Sequence, residues 1–313
     1  MKVGIPRALF YYSFYPMFKT FFEKLGVKTV VSSPTTKKVL DNGIKDTVTD
    51  ACVPVKLYHG HVADLIGKVD FVFVPRLVCI DNEATFCPKF LGLPDMVTYS
   101  IDNLPPLITP RIDFRNGRLE LLKVCYSIGR MFTKNVVKIF KAYQESIKSL
   151  KNYEQEFLEG KIPPLNIKKR LNSDINLGAL GYPYMLYDQY LSLNLLKKLF
   201  DLGVSVTTPE MISREDKLKQ AGKLKKTLFW HYSNGVIRTA FHMFENCNID
   251  GIIHVTAFGC GPDFIVDKLL ELEAKKRSVP FLTITLDEQT GEEGLKTRLE
   301  AFVDMLRLRR RLA

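Results

Sequence analysis

The chain has 313 residues, of which 46% are apolar and 25% charged, the balance of an ordinary soluble globular protein long enough for two domains. Its 45 Lys and Arg against 34 Asp and Glu give a net charge of +11, which suits an anionic partner. No run is long enough to span a bilayer, and zinc-finger spacing, an RRM-like aromatic motif and a helix-turn-helix pattern are all missing, so neither membrane nor nucleic acid is expected as a partner. The basic residues at Lys37-Lys38, Lys168 to Arg170, Lys275 to Arg277 and Arg307 to Arg311 read as solvated helix faces and ends.

In chain order, Lys2 to Ile5 reads as a strand stopped by Pro6, and Tyr11 to Leu25 as a helix with Tyr15, Phe18 and Phe22 on one face, closed by Gly26. A second strand covers Val27 to Ser32 and stops at Pro34; a short helix covers Thr36 to Leu40. From Cys52 to Ile66 the pattern is helical again, with Pro54 tolerated in the first turn, and Asp70 to Val74 is a buried strand stopped by Pro75. A turn-rich loop carries Cys87, and a proline-rich connection runs from Leu104 to Pro110. Glu120 to Glu159 reads as one long helical stretch ended by Pro163-Pro164. Alternating strands and helices with short turns predict an α/β fold with doubly wound parallel sheets.

The opening then recurs. Gly4-Ile5-Pro6 matches Gly181-Tyr182-Pro183, Leu9 matches Leu186, Phe18 and Phe22 match Leu195 and Leu199, and Leu25-Gly26-Val27 matches Leu202-Gly203-Val204, every pair 177 residues apart. Val69 to Val74 further resembles Ile249 to His254. An internal duplication is therefore expected, with an N-terminal wing at 1–115, a helical connector at 116–170 and a C-terminal wing with a terminal helix at 171–313. Ligands of open α/β sheets bind beyond the carboxyl ends of the strands, so the two wings are expected to share one cleft.

Three cysteines have the settings that ligands need. Cys87 and Cys260 follow strands in turn-forming loops, and Cys52 stands at a helix start, where unsatisfied N–H groups and the helix dipole favour a thiolate. Cys79 in an apolar run, Cys125 on a helix and Cys247 near a helix end read as structural. The sequence opens on a strand rather than a secretory leader, so a reducing, cytoplasmic setting without disulfides is expected. Three thiolates could hold an iron–sulfur cluster, or zinc if His59, His61 or His254 supplied a fourth ligand. Lys56, Lys89, Asp263 and Glu288 are further polar candidates, and Asp95 and Asp263, each after a proline, are readable as helix caps. No nucleophile elbow or Walker sequence is present, and the sequence assigns no catalytic residue.

Gly4-Ile5-Pro6-Arg7-Ala8-Leu9 with Tyr11-Tyr12, Ala51-Cys52-Val53-Pro54-Val55-Lys56, Tyr58-His59-Gly60-His61, the run Cys87 to Asp95, Phe258-Gly259-Cys260-Gly261-Pro262-Asp263 and Thr297 to Phe302 together resemble the superfamily of 2-hydroxyacyl-CoA dehydratase and benzoyl-CoA reductase subunits. The chain is most similar to its activase-related branch, a relative of the double-cubane cluster proteins. The resemblance implies two Rossmann- or flavodoxin-like wings with a four-iron [4Fe-4S] cluster between them, held by Cys52, Cys87 and Cys260. A single cubane is favoured over a double one, because the other three cysteines have core-like settings. It implies an anaerobic redox protein, an enzyme in one reading, that takes electrons from an ATP-hydrolysing activase, itself a cluster-bearing homodimer. The electrons would reduce or reductively dehydrate a small molecule at the open iron, and a homo- or heterodimer is compatible with this. A non-catalytic electron or cluster relay and a zinc-stabilised two-domain binding protein are the alternatives. This chain has Gln289 where the branch has a histidine.

Overall fold

The computed structural model describes residues 1–81, 83–117, 119–170 and 173–312, with only the backbone of Asn116. The expected bounds of the second wing, 171 and 313, lie outside the described residues. The chain forms two compact units: Met1–Glu154 with Phe229–His231, and Gln155–Leu228 with Tyr232–Ala313. Among the described residues no helix is long and apolar enough to cross a membrane.

The first unit runs β1 (Lys2–Ile5), α1 (Tyr11–Lys24), β2 (Lys28–Val31), α2 (Lys37–Lys45), α3 (Val53–Ala63), β3 (Phe71–Phe73), β4 (Arg76–Cys79), α4 (Pro88–Leu91), α5 (Leu93–Ser100), β5 (Leu107–Ile108), β6 (Arg111–Asp113), α6 (Glu120–Phe132) and α7 (Val136–Leu158). The second unit follows with β7 (Lys161–Ile162), β8 (Ile167–Lys168), β9 (Asn176–Gly181), α8 (Pro183–Tyr187), α9 (Leu195–Asp201), β10 (Ser205–Thr207), α10 (Arg214–Lys219), α11 (His231–Asn246), β11 (Gly251–Ala257), α12 (Gly261–Lys276), β12 (Phe281–Leu286) and α13 (Glu292–Leu312). The unit boundary falls inside α7, and α11 opens on the last residue of the Phe229–His231 segment.

Each unit carries a four-stranded parallel sheet, ordered β2-β1-β3-β5 in the first and β10-β9-β11-β12 in the second. The order is the same, with the first strand interior and the chain crossing over it to the third, so both are Rossmann- or flavodoxin-like. The repeat extends to backbone detail. Gly26 and Gly203 both take φ of 82°, a conformation that glycine adopts without strain. The amide after each reaches back five residues, Val27 to the Phe22 carbonyl at 3.0 Å and Val204 to the Leu199 carbonyl at 3.1 Å, the Schellman closure of a helix.

The copies differ in strand length. Asp70 and Asp250 play one part, each accepting from the first strand of its sheet, from the Lys2 and Asn176 amides, both at 2.7 Å. Farther along, Gly4 pairs with Val72 but Gly181 with Val255, so the alignment of Val69–Val74 with Ile249–His254 holds only at its start. The second unit absorbs its extra residues by lengthening β9 and β11. Its first helix is also divided into α8 and α9 by a turn at 188–194, where Asp188 accepts from the Tyr190 and Leu191 amides, both at 3.0 Å.

The stretch expected as one helix from Glu120 to Glu159 is two. Thr133 turns extended at the end of α6, and Asn135 Oδ1 accepts from the Lys138 amide at 3.0 Å, capping α7. Helix α7 then lies on α1: Lys138 Nζ reaches the Leu25 carbonyl at 2.9 Å and Tyr153 Oη donates to the Tyr12 carbonyl at 2.7 Å. Phe18, Phe22 and Phe73 form the aromatic heart of the first core, with Phe10 joining Phe18 to Tyr58 of α3.

Candidate functional site

Cys52, Cys87 and Cys260 occupy the same kind of position. Each is the extended residue before a helix (α3, α4 and α12) with proline in its first turn, and none caps its helix through its side chain. Proline there costs no hydrogen bond and presets the backbone for the helix. All three are half-buried thiols. Cys79, by contrast, is buried at the end of β4, Cys125 is buried within α6, and Cys247 follows α11.

Within the first unit the fold brings Cys52 and Cys87 together. Lys89, in the first turn of α4, donates to the Asp50 carbonyl two residues before Cys52 at 2.9 Å, tying one cysteine loop to the other. Burial pushes both thiols up. The Lys89 ammonium leads the influences drawing Cys52 back, while the neighbouring Cys87 pushes it higher; at Cys87 the amides of Phe90 and Lys89 oppose burial, followed by the Lys89 charge. Two neighbouring, desolvated thiols beside a cation suit a centre whose positive charge displaces both protons. Cys260 belongs to the second unit. Among the described residues no group of three or more His, Cys, Asp or Glu side chains comes together as a metal site.

Both cysteine loops of the first unit are held from below. Helix α3 is buried along nearly its whole length and crosses α2 backbone to backbone: a Cβ on Gly43 would lie 1.8 Å from the Lys56 carbonyl oxygen, and one on Gly60 1.9 Å from that of Val39. Only glycine permits that approach. The Cys87 loop is fixed by Asp81, which accepts from the Glu83 and Ala84 amides at 3.0 and 3.1 Å and pairs with His231 Nδ1. The His231 ring packs on Phe86 with centroids 5.0 Å apart, and Phe86 stacks on Phe90 of α4. Against burial, the hydrogen bond and charge of His231 hold the Asp81 carboxyl well below the usual range.

The histidines weighed as zinc ligands are otherwise engaged. His61 bridges Ser32 Oγ and Thr35 Oγ1, both at 2.9 Å. Ser32 Oγ also accepts from the Arg7 amide at 2.8 Å, and burial keeps the His61 ring neutral. Burial brings its pKa down to about 3. His59 contacts the Val55 carbonyl through Nδ1, and its buried Nε2 has no hydrogen-bond partner among the described residues. His254, on β11 and fully buried, lies between Asp267 at 2.8 Å from Nδ1 and Asp263 at 3.3 Å from Nε2, the second contact an ion pair too poorly aligned for a hydrogen bond. Burial alone would lower its pKa, but the carboxylates of Asp263 and then Asp267 raise it to about 9. Asp263 therefore sits in the first turn behind Cys260 as the buried counter-ion of a strand histidine.

Among the remaining candidates, Lys56 is buried in α3, Asp95 pairs with Arg76 at 2.8 Å, and Glu288 and the exposed Gln289 lie in the turn after β12, where Asp287 accepts from the Gln289 amide at 2.9 Å. Sequence reasoning missed Asp81, His231 and Asp267. The spacing of Asp263 and Asp267, one helical turn apart just after the Cys260 loop, was the available signal for the last.

Among curated proteins no match is found. Residues 224–306, which contain His254 and Cys260, match the 2-hydroxyglutaryl-CoA dehydratase D-component. Residues 2–212, with Cys52 and Cys87, match the CoA enzyme activase uncharacterised domain (DUF2229), which covers well over half of the chain. The paired thiols and the proline-led cysteine loops thus lie within matched sequence, and the chain belongs to the CoA enzyme activase uncharacterised domain family, in the superfamily of 2-hydroxyacyl-CoA dehydratases and activase-related proteins.

Proposed function

We propose that this chain is an iron–sulfur redox protein whose Cys52, Cys87 and Cys260 thiolates hold a single four-iron cubane. In this reading it takes electrons from an ATP-hydrolysing activase and reduces, or reductively dehydrates, a small acyl-CoA-like molecule. Its setting would be anaerobic cytoplasm, and its wings would span 1–115 and 171–313 with 116–170 as connector. The observation that carries the reading is the shared setting of the three cysteines, each before a proline-led helix, two of them linked through Lys89. The likeness of residues 224–306 to a dehydratase component supports it.

When bound, such a cluster supplies a one-electron couple and, with three protein thiolates, one iron able to take a small ligand. The chain's own residues would do the rest. The first amides of α3 and α4 stabilise the negative charge of the Cys52 and Cys87 thiolates, and Lys89 offsets part of it. Phe86 and Phe90, both buried, back the Cys87 loop and limit water on that side.

The test is strictly anaerobic purification with iron, acid-labile sulfide and zinc quantified. The expected result is about four irons and four sulfides per chain. Zinc without sulfide would overturn the reading. With the cluster in place, ATP-dependent reduction by a cognate activase is expected, and reduction equally fast without ATP would leave only electron relay.

A further inference from the structure

A cavity of about 320 Å³ opens in the second unit, lined by Lys169, Asn176, Thr207, Met211, Ile212 and Cys247 among others. It lies towards the amino-terminal end of the sheet: Asn176 opens β9, residues 247–249 precede β11, and Thr207, the last residue of the short β10, pairs with Gly178 near the start of β9, whereas Cys260 follows the carboxyl end of the parallel strand β11. The two features thus occupy opposite ends of one sheet, and the cavity has no part in the proposed cluster site.

The cavity's chemistry is uneven. Lys169 Nζ donates to Thr207 Oγ1 at 2.5 Å, and among the described residues no carboxylate lies within ion-pair distance of it. Other cations of this chain do meet one: Lys68, Lys123, Lys198, Lys219 and Lys276, for example, each approach a carboxylate at 2.5 to 2.7 Å. A half-buried ammonium facing a cavity without a counter-ion is costly unless an anion shares the space. Among the described residues its electrostatic neighbour is the Cys247 thiol; burial draws the lysine's pKa down and raises that of the thiol, each group partly offsets the shift in the other, and the Asp216 carboxylate adds to the rise at Cys247. Met211 and Ile212 supply an apolar wall, and the Asn176 side chain and Thr207 hydroxyl add neutral polar groups. The volume is at the small end of ligand pockets.

We propose that this cavity is a binding site for a small monocarboxylate with a compact apolar body, its carboxylate on Lys169 and Thr207 and its body against Met211 and Ile212. One cation matches one negative charge. A phosphate monoester, close to doubly charged at neutral pH, would find no second cation among the cavity-lining residues.

Cys247 provides the reporter. Iodoacetate and its neutral isostere iodoacetamide both alkylate a thiolate with loss of iodide, and peptide mass mapping on the full anaerobic protein gives the rate of each at Cys247. Their ratio cancels the thiolate fraction and retains the preference for the carboxylate. Replacing Lys169→Met is expected to lower that ratio about fivefold, while Lys169→Arg keeps it. In the unmodified protein, isobutyrate is expected to slow labelling of Cys247 by iodoacetamide, and isobutyramide and inorganic phosphate are not. A ratio unchanged in a Lys169→Met variant with native circular dichroism overturns the site, as does equal protection by isobutyramide. Phosphate protecting as well as isobutyrate overturns the carboxylate assignment. If Lys169→Met fails to fold, the competition in the unmodified protein decides alone.

Discussion

His254 should make the second unit sensitive to alkali. The ring is fully buried between Asp263 and Asp267, whose carboxylates outweigh burial and hold its pKa near 9, against 6.5 for an ordinary histidine. The folded unit therefore binds this proton more tightly than the unfolded chain. Its stabilisation is complete below pH 6.5 and is lost as the pH rises through about 9. That interval, at about 1.4 kcal/mol per pH unit, amounts to about 3 kcal/mol. The comparison is the double replacement His254→Gln with Asp263→Asn, because His254→Gln alone would leave the Asp263 carboxylate buried without its counter-ion. Urea titrations at about pH 6 and about pH 9.5, with pulsed hydrogen exchange in β11 and α12 peptides as the readout, isolate the unit concerned. The unmodified protein should lose about 3 kcal/mol more than the double variant between the two conditions. Equal losses would refute the charge assignment.

Three further outcomes follow from the geometry. Cys52→Ser, Cys87→Ser and Cys260→Ser should each lose most of the iron and the cluster absorbance, while Cys79→Ser, Cys125→Ser and Cys247→Ser keep them; equal loss in both groups would mean the ligands are wrongly chosen. Gly43→Ala and Gly60→Ala should each destabilise the first unit by about 3 kcal/mol or more in thermal melts, since the new Cβ would overlap a backbone carbonyl across the α2–α3 contact. A cost below 1 kcal/mol would show the helices can part freely. His61 is kept neutral by burial with a pKa of about 3, so its contribution is present above pH 6.5 and is lost as the pH falls towards 3. Trp230 fluorescence should report a loss of about 3 kcal/mol between about pH 6.5 and pH 4 that His61→Gln does not share.

Much of this was legible locally. The strand stops at Pro6 and Pro183, the glycine closures at Gly26 and Gly203 and the three proline-led cysteine settings each depend on a few neighbouring residues. The gap between α6 and α7 was hidden because the Lys and Glu pattern runs through it; what breaks the helix is the local bonding of Thr133 and Asn135. The drift of β11 against β3 was hidden because a longer strand looks like the same apolar run shifted by a few residues. The Asp81–His231 pair spans 150 positions, and no spacing rule connects them. Nor could the sequence show that Lys89 would reach the Asp50 carbonyl, the contact that joins two of the cysteine loops.

The repeated use of cysteine before a proline-led helix is itself an argument about chemistry. Helix starts usually carry Ser, Thr, Asp or Asn, whose oxygens satisfy exposed amides and are worth about 1 kcal/mol. This chain uses such caps elsewhere, at Thr36, Asn135 and Ser213. At Cys52, Cys87 and Cys260 it gives up the cap, and in each case proline in the first turn also removes one of the amides that would have needed it. A stability-driven choice would have placed an oxygen there. The remaining amides stay available to a negatively charged sulfur, which becomes more favourable when the thiol is ionised by a bound cation. If that is the reason for the cysteines, Cys52→Asp or Cys87→Asp should hold or raise the melting temperature of the cluster-free protein while abolishing iron binding. A matching loss of stability and iron would instead make the thiols packing residues, and the proposed centre would lose its main structural support.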